Sequence, residues 1–287
     1  MPMTDIAIIG TGVAGLSAAV TAVARNKSIL LFGDTLLGGK LNSTHDIKNF
    51  LGFFGKDSTQ IQKELNEQMT ALGISVTEKK ITNVYQMGDH FTLLSGQEMF
   101  EAKSVILASG ISFGKPLAGE TDFLGRGVSY CATCDGMLFK DKKVAVISYS
   151  KNEEKEADFL TEICSEVFYF PQYKDEISVS PKCKIINAKD FKISGGMKAD
   201  RLTYDGSELE VSCVFILREN IPPAQLISGI EMDGNHIKVD RGMKTNIPGF
   251  FAAGDITGTP YQYAKSAGEG NVAALSAVGY LSDIAKK

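Results

Sequence analysis

The chain has 287 residues, 44% hydrophobic and 22% charged, with a net charge of −4. At roughly 100–200 residues per domain it has room for about two, and its composition excludes disordered and collagen-like chains. The mild negative charge leaves no footprint for nucleic acid, no apolar run reaches the ~18 residues of a membrane span, and no basic segment opens a signal peptide, so a cytoplasmic protein is expected.

Residues 5–10, DIAIIG, form a short apolar strand that runs into glycines. Residues 13–24 carry small and apolar side chains at helical density, and 28–32, SILLF, make a second buried strand. Strand, glycine turn, helix and strand within about 30 residues are one βαβ unit. A helix over 58–72 ends at Gly73, and short strands fill 74–109, closing on the buried run 104–108. A second βαβ pattern follows, with VAVIS (144–148), a polar helix at 152–165 and VFYF (167–170). Short strands lead on to residue 217. FFAAGD (250–255) and a small-residue helix near 264–281 then return to the style of the first segment. The expected fold is α/β: two nucleotide-binding-type domains, the second (109–239) inserted into the first (1–108 and 240–287).

Gly10-Thr11-Gly12-Val13-Ala14-Gly15 is a G-x-G-x-x-G that follows a strand and opens a helix. Its glycines permit a tight turn and close approach of a pyrophosphate to the unpaired N–H groups of the helix start, which reads as dinucleotide binding. An acid about 20 positions beyond such a loop holds the ribose hydroxyls. Asp34 fills that place, either as a ribose ligand or as an ordinary surface aspartate.

Cys131-Ala132-Thr133-Cys134-Asp135-Gly136 is the sharpest chemical signal. Two cysteines so spaced close a small disulfide ring that opens readily, and the C-x-x-C context favours the thiolate. Half a zinc site would need two further ligands, whereas Cys164, Cys183 and Cys213 stand alone and the three histidines are scattered, so no metal is expected. Five cysteines in all point to a reducing compartment, where a disulfide is catalytic. Asp135, beside the second sulfur, either shuttles a proton or is a solvated turn residue.

Taken with GGKLNSTHDIKNFLGF (38–53), LASG (107–110), SYCATCDG (129–136), FFAAGD (250–255) and PYQYAKSAGEGNVAA (260–274), these residues resemble the low-molecular-weight thioredoxin reductases, flavoproteins related to glutathione reductase. The resemblance spans nearly the whole chain. It implies two glutathione-reductase-like domains in a homodimer, bound FAD, and thioredoxin as the partner that is reduced. On the matching positions it assigns Gly10, Gly12, Ala14 and Gly15 to the FAD pyrophosphate, and Gly39, Leu41 and Asn49 to the segment along the flavin. Gly254 and Asp255 fall to the ribityl and phosphate region, and Gln262 and Ala264 to the isoalloxazine. Cys134 becomes the flavin-proximal sulfur, Cys131 the attacker of the partner disulfide, and Asp135 the proton donor. Alternating domain orientations in the family imply hinges near 108–115 and 238–244.

One region departs from the resemblance. Nicotinamide-dependent members carry a second G-x-G-x-x-A and a basic cluster for the 2′-phosphate. Here VAVI runs into Ser148-Tyr149-Ser150-Lys151-Asn152-Glu153, and Pro171-Gln172-Tyr173-Lys174 stands where arginines would bind. The Glu153 carboxylate occupies the helix-start field a pyrophosphate needs, and Glu154 and Glu156 add negative charge. The pattern is similar to the ferredoxin-dependent flavin thioredoxin reductases, which implies ferredoxin as electron donor, with Lys40, Lys48 and Lys56 as candidate docking charges. Two other readings stay open: an oxygen-dependent dithiol oxidase on the same core, and a divergent NADPH-dependent reductase. His45 faces either cofactor or solvent, and Tyr261 and Tyr263 either shield the flavin or pack.

Overall fold

The computed structural model describes residues 3–43, 47–111, 116–218 and 221–286, without the side chains of Asn42, Ser43 and Cys134. Two compact units emerge: Met1–Ile111 with Pro222–Lys287, and Ser112–Ile221 between them in sequence.

The first unit begins with β1 (Thr4–Ile9), α1 (Val13–Ala24) and β2 (Ile29–Phe32), the anticipated βαβ unit. Next come α2 (Ser58–Ala71) and strands β3 (Val76–Thr77), β4 (Asn83–Met87), β5 (His90–Ser95) and β6 (Glu98–Leu107). Strand order is β3-β2-β1-β6-β5-β4, parallel from β3 to β6 and antiparallel through the β4–β5 hairpin. Ile6, Ala7 and Ile8 are fully buried because both faces of a parallel sheet are covered, which is why β1 reads as unbroken apolar sequence. A capping box between Asp57 and Gln60 starts α2, which buries Ile61, Leu65 and Met69 along one face.

In the second unit the chain forms β7 (Val128–Ser129), α3 (Ala132–Asp135), β8 (Lys143–Ser148), α4 (Glu154–Ile163), β9 (Glu166–Pro171) and β10 (Cys183–Ile185). Strands β11 (Phe191–Gly195), β12 (Ala199–Tyr204) and β13 (Ser207–Glu210) make a small antiparallel sheet, and β14 (Cys213–Leu217) returns to the main one. That main sheet is parallel, in the order β10-β9-β8-β14-β7. Val144, Val146, Phe215 and Tyr169 are buried in its core beneath α4.

The chain re-enters the first unit through α5 (Pro223–Leu226), the β15 (Met232–Asp233)–β16 (His236–Ile237) hairpin and β17 (Phe250–Ala252), which pairs with β6. Helix α6 (Tyr263–Ile284) closes it. Small residues of α6 lie against α1. A Cβ on Gly270 would stand 2.0 Å from the Ala14 carbonyl oxygen, so this helix crossing admits nothing larger than glycine there.

The return to the first unit corrects one boundary. It falls at 221/222, not at 240, because α5 packs on β4 and His236 on Tyr261, placing residues 222–239 with the first unit. The expected hinge at 238–244 therefore lies inside that unit. At the other end the first unit runs to Ile111, and residues 112–115 of the expected hinge lie outside the described residues.

Candidate functional site

In the first unit the carboxyl ends of β1 and β6 meet the start of α1, the place where an open α/β sheet receives a nucleotide. Gly12 is the helix N-cap, in extended conformation, with no side chain capping the helix and no acid in the first turn. The first intrahelical bond runs from Leu16 N–H to the Gly12 carbonyl (2.9 Å), so the N–H groups before it have no carbonyl of the helix to reach. A Cβ on Gly12 would meet nothing within 4 Å, whereas one on Gly15 would lie 1.8 Å from the Gly10 carbonyl oxygen. One glycine keeps the approach open and the other lets the turn close. This uncapped, positively polarised helix start fits a pyrophosphate.

The other assigned positions converge on it. Gly38 N–H donates to the Thr11 carbonyl (2.8 Å), which seats Gly39 against Gly12 and buries Leu41. Asn49 Nδ2 donates to Gln262 Oε1 (3.0 Å), joining that segment to the N-cap of α6, and Ala264 is exposed in the first turn. Gly254 adopts φ 89°, a conformation a side chain would strain, and sits against Ala14. Asp255 receives Lys40 Nζ at Oδ2 (2.7 Å) and Ser266 Oγ at Oδ1 (3.3 Å). Asp34 stands at the end of β2 with its neighbour Gly33 against Thr11, and its Oδ1 accepts the Leu36 N–H (2.7 Å), as in a turn.

Two of the candidate docking lysines already have acidic partners. Lys40 pairs with Asp255 and lies 5.7 Å from the centre of the Tyr261 ring; Lys56 pairs with Glu64 and lies 5.1 Å from that of Phe53. Lys48 is exposed. Tyr261 O–H meets His236 Nε2 (2.7 Å), while Tyr263 reaches the Lys40 carbonyl (3.4 Å). His45 lies outside the described residues.

In the second unit β7 delivers Ser129 directly before the cysteine pair. Cys131 is buried and disulfide-bonded, whereas Cys164, Cys183 and Cys213 are free. Burial pushes the Cys164 and Cys183 thiols up to about 11 and Cys213 well above the ordinary value, which leaves these three as protonated core residues. The Cys134 side chain lies outside the described residues. Ser129 Oγ accepts the Cys131 N–H (3.2 Å) and donates to Asp135 Oδ2 (2.7 Å), while Asp135 N–H returns to the Cys131 carbonyl (3.2 Å). The proton-donor candidate is thus fixed to the cysteine loop by a hydroxyl on a sheet strand. Thr133 Oγ1 lies 3.4 Å from Cys131 Sγ.

Just before Cys131, Tyr130 O–H donates to Glu120 (2.7 Å), which is paired with Arg218 through two bonds of 2.6 and 3.0 Å. Burial alone would raise the Glu120 carboxyl, but Arg218, the Leu117 N–H and Tyr130 together hold it below the ordinary range. The Arg218 guanidinium lies 4.8 Å from the centre of the Tyr149 ring, at the carboxyl ends of β14 and β8.

The loop after β8 is closed by its own side chains. Ser148 Oγ donates to the Ser150 carbonyl (2.9 Å), and Ser150 Oγ caps the helix start by accepting the Asn152 N–H (3.2 Å). Glu154 and Glu156, expected to add negative charge here, are each engaged by hydrogen bonds, and, despite burial, those from Ser178 and Tyr173 hold the Glu154 carboxyl below its ordinary value. Glu154 is buried and accepts Ser178 N–H (3.0 Å), Ser178 Oγ (2.6 Å) and the Tyr173 hydroxyl; Glu156 Oε2 reaches α3 and accepts the Ala132 N–H (2.5 Å). Glu153 is buried as well. Self-satisfied hydrogen bonding, rather than exposed charge, fills this helix start.

The family model described as pyridine nucleotide-disulphide oxidoreductase matches residues 4–147 and 174–270. The chain belongs to that family. A thioredoxin reductase of Mycolicibacterium smegmatis is 31% identical, covering 97% of each chain, and that of Bacillus subtilis is 28% identical over 98% of this chain and 95% of its own. A crystal structure of a ferredoxin-flavin thioredoxin reductase from Clostridium acetobutylicum superposes with a TM-score of 0.95 at 44% identity, covering all of both chains. This member of the family is a flavoprotein oxidoreductase of the thioredoxin reductase kind, acting on disulfides. Among the described residues no helix is long and apolar enough to cross a membrane, and no group of three His, Cys, Asp or Glu could hold a metal ion.

Sequence reasoning gave Ser129 and Ser266 no role, and read Lys40 and Glu156 only as surface charge. They lie inside or beside the quoted motifs, but their partners Asp135, Asp255 and Ala132 are set by the fold and not by a spacing.

Proposed function

We propose that this protein is an FAD-dependent ferredoxin:thioredoxin reductase, a cytoplasmic homodimer that passes electrons from ferredoxin through FAD and the Cys131–Cys134 dithiol to thioredoxin. The single observation that carries the donor assignment is the closed loop after β8, where Ser148 bonds the Ser150 carbonyl, Ser150 caps the Asn152 N–H and the buried Glu154 accepts the Tyr173 hydroxyl. The family match lapses over the same stretch, between residues 147 and 174. The 44% identical Clostridium acetobutylicum protein is a ferredoxin-flavin thioredoxin reductase, which supports the same donor here.

The residues of the first unit would hold FAD by the uncapped α1 start, Gly254 and Asp255, with Gln262 and Asn49 beside the ring. Bound flavin supplies the exchange between single electrons and electron pairs. Once the dithiol is reduced, the Cys131 thiolate attacks the thioredoxin disulfide, forming a mixed disulfide and releasing one thioredoxin thiolate. Cys134 then attacks Cys131, which re-forms the protein's own disulfide and frees the second sulfur. Asp135, held by Ser129, delivers a proton to a leaving thiolate.

Anaerobic titration of the purified flavoprotein with NADPH, NADH and reduced ferredoxin is the test. Flavin bleaching by ferredoxin alone, followed by thioredoxin turnover, is the expected result. Rapid bleaching by NADPH would return the chain to the nicotinamide-dependent reductases. Aerobic peroxide formation with a small dithiol, and no thioredoxin turnover, would favour a dithiol oxidase. Cys131→Ser should leave Cys134 able to perturb the flavin spectrum, and Cys134→Ser should trap thioredoxin on Cys131; trapping on Cys134 would reverse the two roles.

A further inference from the structure

Helix α6 carries an i, i+4 pair, Lys265 and Glu269, that grips the turn 254–258 from both ends. Lys265 Nζ donates to the carbonyls of Gly254 (3.0 Å) and Gly258 (2.7 Å) and to Thr257 Oγ1 (3.2 Å), and it is ion-paired with Glu269 Oε2 (3.1 Å). Glu269 Oε2 in turn accepts the Gly254 N–H (2.9 Å) and meets Thr257 Oγ1 (2.8 Å). A lysine has three donors and no acceptor, and here two carbonyls, a hydroxyl and a carboxylate converge on one ammonium. Oxygen dipoles gathered this closely repel each other unless a cation sits between them. Both side chains are about four-fifths shielded, so water weakens the pair less than it would on an open surface.

We infer that Lys265 and Glu269 are positioning residues for the flavin site, an inference that rests on the FAD reading above. The argument runs through peptide geometry. Both polar groups of Gly254 are held, the N–H by Glu269 and the carbonyl by Lys265. In a planar trans peptide the N–H of the next residue points opposite to that carbonyl. The clasp therefore aims the Asp255 N–H away from the α6 side chains, while Ser266 on the same helix sets the Asp255 carboxylate. Gly254 and Gly258 have φ of 89° and 124°, and Gly254 N–H and both glycine carbonyls are held by the clasp, so the turn keeps an otherwise adaptable conformation. Neither residue belongs to the motif positions assigned to the cofactor; they act through Gly254 and Asp255.

The experiment compares FAD binding to deflavinated wild type, Lys265→Met, Lys265→Arg and Glu269→Ala by recovery of flavin fluorescence quenching, with unfolding of each apoprotein followed by circular dichroism. Partners that orient metal ligands are worth about 10–100-fold in affinity, and by the same logic Lys265→Met is expected to raise the FAD dissociation constant about tenfold or more. Lys265→Arg, which keeps the charge and donors, should recover most of that loss. In the double variant Lys265→Met/Glu269→Ala, added to the set, the two effects should be strongly non-additive, because each disables the same clasp. Loss of the cation should also lower apoprotein stability, so binding is compared at a temperature where circular dichroism shows every apoprotein folded. A dissociation constant within about twofold of wild type in Lys265→Met, or equal weakening by Met and Arg, would overturn the inference. Should Lys265→Met not fold, Thr257→Val removes only the shared hydroxyl and is read in the same way. Wild type that binds no FAD would instead overturn the proposed function.

Discussion

The two glycine-loop positions of this chain start from the same strand–loop–helix geometry and end in opposite states. After β1 the helix begins at Gly12 with no side chain capping it, and open space stands where a Cβ would go. After β8 the helix begins with a turn capped by Ser150, under a buried Glu154 bonded to Tyr173 and Ser178. A helix start has backbone donors that some acceptor must satisfy. The first unit leaves them for a ligand, and the second supplies acceptors of its own. On the proposed reading, a nucleotide site is lost by filling hydrogen bonds from within, as much as by removing glycines.

The largest effect should come from closing the open loop. Gly12→Glu starts from a Cβ position with nothing within 4 Å and carries a carboxylate toward the phosphate path, so the protein should fold and yet purify without flavin, read by absorbance and circular dichroism. Bound flavin in that variant would break the comparison. Next is the buried pair below the closed loop. Glu120→Gln leaves Arg218 uncompensated and should cost about 3–5 kcal/mol in denaturant unfolding at pH 7. Because Glu120 is held below its ordinary value of 4.5 in the fold, its contribution is present above about pH 4.5 and lost as the pH falls further. The gap between wild type and variant should therefore narrow toward pH 3.

A smaller change is expected from Ser150→Ala, which removes the cap and should cost about 1 kcal/mol. The smallest is a back-graft. Ser148→Gly, Ser150→Gly and Glu153→Ala together restore the motif, but Glu154, Tyr173 and Ser178 still hold the helix start and its following loop together. No NADPH binding should appear by calorimetry. Binding at micromolar affinity would mean that the glycines alone decide the site.

What the sequence determined by itself is whatever depends on neighbours in the chain. α1 spans residues 13–24 as expected, because small residues at helical spacing and a glycine N-cap are local signals. The C-x-x-C spacing and the glycine loop at 10–15 are local for the same reason. Only the tertiary structure decided which side chains serve those motifs. Lys40 meets Asp255 across 215 residues, Glu156 leaves its own helix to bond Ala132, and the segment 222–239 joins the first unit through Tyr261 and β4. Such partners carry no periodicity and no spacing, since a salt bridge or hydrogen bond needs only proximity in space. The acids at 153, 154 and 156 mark the limit: their charge was legible, but burial and recruitment turned it inward.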